Sequence, residues 1–77
     1  MLNNEHIIKQ QIGARIKKLR EDRGMSQSDL GYEANIDQNT VSRIELGKNN
    51  WRLETMIAIA NALETNFFEL FKPGKGH

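Results

Sequence analysis

Residues 27–46 read QSDLGYEANIDQNTVSRIEL, and this stretch decides the fold. Leu30 and Ala34 lie four residues apart, a spacing that puts two apolar side chains on one face of a helix. Asn35 follows at once, and asparagine tolerates the left-handed backbone conformation that ends a helix and turns the chain. The stretch therefore predicts a short helix that ends in a sharp turn at Asn35.

A second short helix is predicted directly after this turn. Asp37 can cap its N-terminus, Val41 and Ile44 supply its buried stripe, and Gly47 marks its end. Gly31 falls where two helices that cross over a tight turn leave no room for a side chain. Two short helices packed at a steep angle across such a turn form a helix-turn-helix.

The outward face and flanks of the second helix carry hydrogen-bonding side chains, none of them acidic. Amide side chains can bond adenine through N6 and N7, and a guanidinium can bond guanine through O6 and N7. A solvated helix face is the alternative, but such faces are usually richer in glutamate and lysine. We therefore predict that this helix enters the DNA major groove, with base contacts from Gln38, Asn39, Thr40, Ser42 and Arg43.

The run MSQSDLGYEANIDQNTVSRIELGK, residues 25–48, resembles the DNA-binding domain of the lambdoid phage repressor and Cro proteins, the Xre-like regulators. The resemblance extends to residues 12–20, 53–63 and 68–71, so it covers about four fifths of the chain as a scattered pattern. It implies an all-α fold of five short helices. We expect one domain over residues 1–77, with a frayed N-terminus at 1–5 and a flexible tail at 72–77.

Some positions depart from the family pattern. Asn35 replaces the usual turn glycine, and Glu64 stands where a glycine or asparagine often ends the fourth helix. Trp51 and Arg52 replace the small or capping residues that are usual before that helix. These departures leave the cap of the fourth helix and the nearby phosphate contacts open.

The resemblance also implies contacts with the DNA backbone. Gln27 opens the first helix of the pair, where the family has a glutamine that touches a phosphate; a surface glutamine with no role is the alternative. The family grips the backbone on the other side of the groove with the loop beyond the second helix. Here that loop is Lys48, Asn49 and Asn50, and a solvated loop is an almost equally good interpretation.

The first helix is predicted from an apolar stripe at Ile8, Ile12, Ile16 and Leu19. Residues 9–23 contain six basic and two acidic residues, which is compatible with DNA binding but equally typical of a solvated amphipathic helix. Within this segment, the resemblance implies that Arg20 forms a buried structural ion pair with Glu45. We therefore leave Arg20 out of the DNA site.

The family normally works as a homodimer that binds two half-sites about 34 Å apart. Helix 4 has a broad apolar face over residues 53–63, and Asn66 with Glu69 has the spacing of a capping box that opens a fifth helix. Ile59 lies off the main stripe of helix 4, and Phe68 is adjacent to another phenylalanine. We predict a dimer patch that includes Ile59 and Phe68; the alternative is that both close the lower edge of a small core.

Several functional classes are disfavoured by composition. The chain has no cysteine, no apolar run near the ~20 residues of a membrane span and no secretory signal pattern. We therefore expect a cytoplasmic protein without membrane association. Its two histidines lie near the ends, so no catalytic group or metal cluster can be assembled, and we expect neither an enzyme nor a cofactor.

Two functions remain in competition. The first is a transcriptional regulator that binds a two-fold symmetric operator on double-stranded DNA as a homodimer, without an attached effector domain. Restriction–modification controllers, phage Cro-like repressors and antitoxins are small regulators of this kind, and the size and layout most resemble a controller. The second is a protein-interaction module, with Asp29 and Glu33 contacting a partner such as RNA polymerase. We favour the first, since these two acids are also ordinary solvent charges.

Overall fold

A computed structural model describes residues 4–48 and 51–72, and the regular secondary structure within these ranges is entirely helical. The elements, in chain order, are α1 (Asn4–Asp22), α2 (Gln27–Ala34), α3 (Gln38–Glu45), α4 (Leu53–Ala62) and a 3₁₀ helix (Phe67–Phe71). The predicted all-α class is confirmed. The predicted set of five short helices is not, because the fifth element is a single 3₁₀ segment and α1 has 19 residues.

Helix α1 is longer at its N-terminus than the sequence predicted. It begins at Asn4, so it overlaps the predicted frayed segment 1–5 at Asn4 and Glu5; the fraying itself stays a prediction. Lys9 contacts Glu5 across one turn, with 2.9 Å between Nζ and Oε2. The predicted stripe is buried from Ile12 onward, whereas Ile8 is 49% exposed. The expected tail lies outside the described residues, except for Lys72.

Local capping chemistry explains why α2 and α3 are separate helices. Ser26 and Asp29 form a capping box, in which each side chain accepts a hydrogen bond from the other residue's backbone N–H at 2.9 Å. Asn35 ends α2 with φ of 60°, as predicted. The side chain of Asp37 then accepts a hydrogen bond from the Thr40 N–H at 2.8 Å and caps α3.

The two helices of the pair approach closely at Gly31. A Cβ atom there would lie 2.7 Å from the carbonyl oxygen of Ile36, so only glycine fits without a shift of the turn. This close approach is the one that the sequence predicted, and it fixes the angle at which α3 leaves α2.

The core lies between α1, the helix pair and the C-terminal elements. Its fully buried side chains are Ile16, Leu30, Val41, Ile44, Ile59, Leu63 and Leu70. Ile59 is 0% exposed, so its predicted place in a surface dimer patch is wrong. The physical reason is that α4 packs against both α2 and the 3₁₀ helix. These two elements together enclose Ile59, although it lies off the main apolar stripe of α4.

The two ends of α4 depart from ordinary capping. Arg52 is the N-cap residue, and its side chain makes no capping hydrogen bond. Trp51 is half-buried and packs against the core. Beyond α4, Glu64 has φ of 55°, a left-handed conformation that glycine or asparagine adopts more easily. The turn thus keeps its shape despite the glutamate.

The 3₁₀ helix has an asparagine cap but no capping box. The Asn66 side chain accepts a hydrogen bond from the Phe68 N–H at 2.8 Å. Glu69 binds elsewhere: its carboxylate contacts Arg15 Nη2 at 3.1 Å and Lys72 Nζ at 2.8 Å. The Lys72 hydrogen bond, with a smaller contribution from Arg15, holds the pKa of Glu69 below its ordinary value. The ion pair with Arg15 ties the 3₁₀ helix to α1.

Candidate nucleic-acid interface

The buried side of α3 anchors it to the rest of the molecule. Val41, Ile44 and Glu45 are buried. Ile44 and Glu45 follow Val41 by three and four residues, the spacings of a single helix face. Gly13 of α1 lies against the end of this face. A Cβ atom on Gly13 would lie 2.5 Å from the carbonyl oxygen of Ile44, so α1 and α3 touch backbone to backbone.

The opposite side of α3 is open to solvent. Gln38, Asn39 and Arg43 are exposed, whereas Thr40 and Ser42 are half-buried. The structure therefore places the five predicted base-contacting residues on one short helix, with the two amide side chains and the guanidinium exposed. Contacts between these residues and DNA bases stay predictions.

The N-terminus of α3 is capped by the Asp37 carboxylate. Hydrogen bonds from Thr40 hold the pKa of Asp37 below its ordinary value, so this carboxyl is ionised at neutral pH. A negative charge at a helix N-terminus is favourable for the helix. Since the cap fixes the first turn, it also fixes the direction in which Gln38 and Asn39 project.

A buried ion pair closes the back of the site. Arg20 donates to both carboxylate oxygens of Glu45, at 2.7 Å from Nε and 3.1 Å from Nη2. The structure therefore contains the Arg20–Glu45 contact that the family resemblance implied. Glu45 raises the pKa of Arg20 above its already high value. The cluster has a third member that the sequence did not predict. Gln27 Nε2 also donates a hydrogen bond to Glu45, at 3.0 Å.

The predicted backbone contacts lie at the two ends of the helix pair. Gln27 is the first residue of α2 and is half-buried. Lys48 is exposed just beyond α3, and its N–H donates to the Arg43 carbonyl at 2.9 Å. Asn49 and Asn50 lie outside the described residues. Contacts with phosphate stay predictions for all four.

Four of the five basic residues of α1 each contact a carboxylate. Lys9 contacts Glu5, Arg15 contacts Glu69, Lys18 contacts Asp22 and Arg20 contacts Glu45. These pairings match the solvated amphipathic helix that the sequence left as the alternative. Two further cations are exposed at α3, namely Arg43 on the helix and Lys48 just beyond its end.

Leu46 is a further residue on the exposed side of α3, and it was not predicted from the sequence as part of the site. It follows Ser42 by four residues and Arg43 by three, so helical periodicity puts it beside them. It is 57% exposed at the end of α3. An apolar side chain there suits contact with a thymine methyl group, and the periodicity of α3 was the signal that could have found it.

Exposed aromatic side chains mark a second surface, at the 3₁₀ helix. Phe68 is 72% exposed and Phe71 is 48% exposed. Both rings make edge-on contacts with Phe67, at centroid distances of 5.6 and 5.3 Å. Phe68 and Phe71 are called the C-terminal apolar patch below.

A helix-turn-helix whose second helix is anchored by its apolar side and presents amide and guanidinium groups to solvent defines a class of DNA-binding domain. Residues 16–70 match the model of the helix-turn-helix family HTH_3. They include the last part of α1, the whole pair, α4 and most of the 3₁₀ helix. Among the described helices, none is both long and apolar enough to cross a bilayer.

Similar proteins share this architecture. The chain is 32% identical to the restriction-modification controller protein C.AhdI from Aeromonas hydrophila, covering 80% of this chain and 94% of that one, with a TM-score of 0.79. It is 33% identical to the controller C.Esp1396I, covering 83% and 87%, with a TM-score of 0.76. An uncharacterised HTH-type transcriptional regulator from Sinorhizobium fredii is 27% identical over 62 residues, 80% of each chain. The chain therefore belongs to the HTH_3 family of helix-turn-helix, DNA-binding transcriptional regulators.

Proposed function

We propose that this protein is a sequence-specific regulator that lays α3 in the major groove of double-stranded DNA and binds a two-fold symmetric operator as a homodimer. The observation that carries the proposal is the split of α3 into two sides. Val41 and Ile44 are 1% exposed, whereas Gln38, Asn39 and Arg43 are open to solvent. A helix anchored in this way presents its polar side chains to the groove without losing its packing.

Each end of α3 has a distinct role in this proposal. Gln38 and Asn39, in the first turn, contact adenine, and Arg43 contacts guanine. Thr40 and Ser42 lie at the flanks and contact a thymine methyl group or a phosphate. Gln27 on one side, and residues 48–50 on the other, hold the two backbones that border the groove.

The dimer forms through the C-terminal apolar patch. Phe68 and Phe71 leave apolar rings in water, and aromatic side chains are enriched in the centres of protein interfaces. A single protomer contributes one α3 and therefore fills one half-site. Two half-sites about 34 Å apart need a second copy, and a longest molecular dimension of 38 Å suits a pair placed side by side.

A restriction–modification controller is the specific role that we favour. Both controllers named above resemble this chain over most of their length as well as most of its own. Phage repressors and antitoxins are the other small regulators considered. If the protein activates transcription, RNA polymerase is a further partner, and in each case we expect it to act in the cytoplasm.

The test is a mobility-shift titration on sequences selected from a random DNA pool. We expect one palindromic sequence family to be enriched, and affinity to fall steeply as salt rises, with a slope of about −0.9 for each phosphate neutralised. The double variant Gln38→Ala with Arg43→Ala removes the enrichment, whereas the control Lys17→Ala, an exposed residue of α1, keeps it. Absence of any shift at low salt would favour a protein-interaction module instead.

A further inference from the structure

The carboxylate of Glu45 gathers donors from two other helices. Its Oε2 atom accepts from Arg20 Nε, and its Oε1 atom accepts from both Arg20 Nη2 and Gln27 Nε2. The Glu45 side chain is only 3% exposed. The last residue of α3 therefore holds, from inside the molecule, a side chain at the first position of α2.

This contact determines how the Gln27 amide is oriented. A carboxylate can only accept hydrogen bonds, so the group that faces Glu45 must be the amide NH₂ rather than the amide oxygen. Nε2 carries two N–H groups and Glu45 takes one of them. Because Gln27 is half-buried, the other N–H remains available to an acceptor that approaches from solvent. A glutamine without such a partner would lose far more rotamer freedom on binding.

Arg20 makes this arrangement compatible with an approaching anion. A lone carboxylate behind the Gln27 amide would repel a phosphate, whereas the guanidinium neutralises that charge. Arg20 Nη1 also donates to the Met25 carbonyl at 2.8 Å, one residue before the Ser26 cap. The same guanidinium therefore holds the backbone just before α2 and neutralises the Glu45 carboxylate behind the Gln27 amide.

We propose that Glu45 is a positioning residue for DNA binding, which presents the Gln27 amide to a backbone phosphate, and that the Arg20–Glu45 pair thereby sets the strength of the phosphate contact. The inference rests on the proposed function. It connects the two contacts with DNA physically, because the helix that reads the bases and the amide that holds the backbone are joined through one carboxylate.

A double-mutant cycle tests the proposal. One background is the natural chain, and the other replaces the ion pair by apolar residues of similar length, Arg20→Met with Glu45→Leu, a change that often preserves folding. Gln27→Ala is made in each. Affinity is measured on a mixed-sequence duplex, because phosphate contacts do not depend on sequence. The measurement is repeated over a series of salt concentrations. Urea unfolding checks that all four proteins fold.

We expect Gln27→Ala to weaken binding about tenfold in the natural background at every salt concentration. The salt slope itself stays unchanged, because the neutral amide releases no counterion from the phosphate. In the apolar background, the same substitution has less than about a twofold effect, since the amide is no longer positioned. The matched control Gln11→Ala, an exposed glutamine of α1, leaves affinity unchanged.

The outcomes separate this inference from the proposed function. An equal loss in both backgrounds, or no loss in either, would overturn the role of Glu45 while DNA binding by the natural chain stands. Failure of the natural chain to bind DNA would instead remove the proposed function.

A second measurement uses the natural chain, in case the apolar pair prevents folding. NMR of the Gln27 side chain resolves its two amide protons. We expect the proton bound to Glu45 to exchange slowly with water both before and after the duplex is added, while the other proton shifts on binding. Release of the first proton by DNA would contradict the proposal.

Discussion

Arg43 is the residue at which base recognition can be separated from general attraction to DNA. Its guanidinium is exposed on α3 and can make a bidentate contact with guanine, which contributes about 1–3 kcal/mol of discrimination. We expect Arg43→Ala to relax the preference at one base pair in each half-site, as measured by selection from a random pool.

The exposed Lys48 provides the comparison for Arg43. A lysine that contacts only phosphate adds affinity on every sequence, so Lys48→Ala should weaken all duplexes alike and reduce the salt slope. If Arg43→Ala shows that same uniform loss, Arg43 is a backbone contact rather than a reader of bases.

Glu64 has a backbone conformation that is unfavourable for a residue with a Cβ atom. Its φ of 55° is left-handed, which costs a non-glycine residue about 1–2 kcal/mol. Glu64→Gly relieves this strain but adds freedom to the unfolded chain, worth about 0.4–1 kcal/mol. We expect a net gain in unfolding free energy of about 0.5–1 kcal/mol, seen as a rise in Tm of about 2–8 °C.

The matched control at this position is Glu64→Ala, which removes the carboxylate but keeps the Cβ atom. Its Tm should stay near that of the natural chain. If the alanine variant gains as much as the glycine variant, the side chain and not the backbone was responsible.

At the scale of elements, the contact between α1 and α3 is set by the absence of a side chain. A Cβ atom on Gly13 would lie 2.5 Å from the Ile44 carbonyl oxygen and 2.6 Å from that of Glu45. Neither backbone oxygen can move without moving α3. The position of α3 thus depends on a residue of α1.

We expect Gly13→Ala to destabilise the fold by about 1–3 kcal/mol, because an overpacked contact between backbones cannot relax cheaply. Helix propensity alone predicts the opposite, a gain of about 1 kcal/mol. Urea unfolding distinguishes the two. The adjacent control Ala14→Gly, at an exposed position of α1, should show only the propensity loss, and a stabilised Gly13→Ala protein would contradict the close contact.

At the scale of the whole molecule, the C-terminal apolar patch controls assembly in the proposed function. Phe68 is 72% exposed, and removing an aromatic anchor from an interface centre typically costs about 2 kcal/mol or more. We expect Phe68→Ser to weaken the dimer more than about tenfold. Sedimentation at micromolar concentration measures this directly.

Tyr32 offers a matched control, since it is an aromatic side chain that is 85% exposed and lies on a different element, α2. Tyr32→Ser should leave the mass in solution unchanged. The Phe68→Ser protein should also lose its preference for a paired site over a single half-site. A natural chain that sediments as a monomer at the same concentration would remove the patch from the proposal.

Local signals in the sequence predicted the helix-turn-helix and the polar side of α3. Capping residues, the asparagine in the turn and the spacing of Val41 and Ile44 act within a few residues of one another, so their meaning does not depend on distant parts of the chain. The Arg20–Glu45 contact joins distant residues, and only resemblance to a family implied it.

Tertiary structure decided which side chains are buried and which distant residues form hydrogen bonds, because both depend on how the helices pack against one another. Ile59 is buried because α4 has neighbours on two sides, and Ile8 is exposed although it continues the apolar stripe of α1. The bond from Gln27 to Glu45 joins residues 18 positions apart and has no local signal. Burial and long-range hydrogen bonds are properties of packed elements, whereas periodicity and caps are properties of a segment.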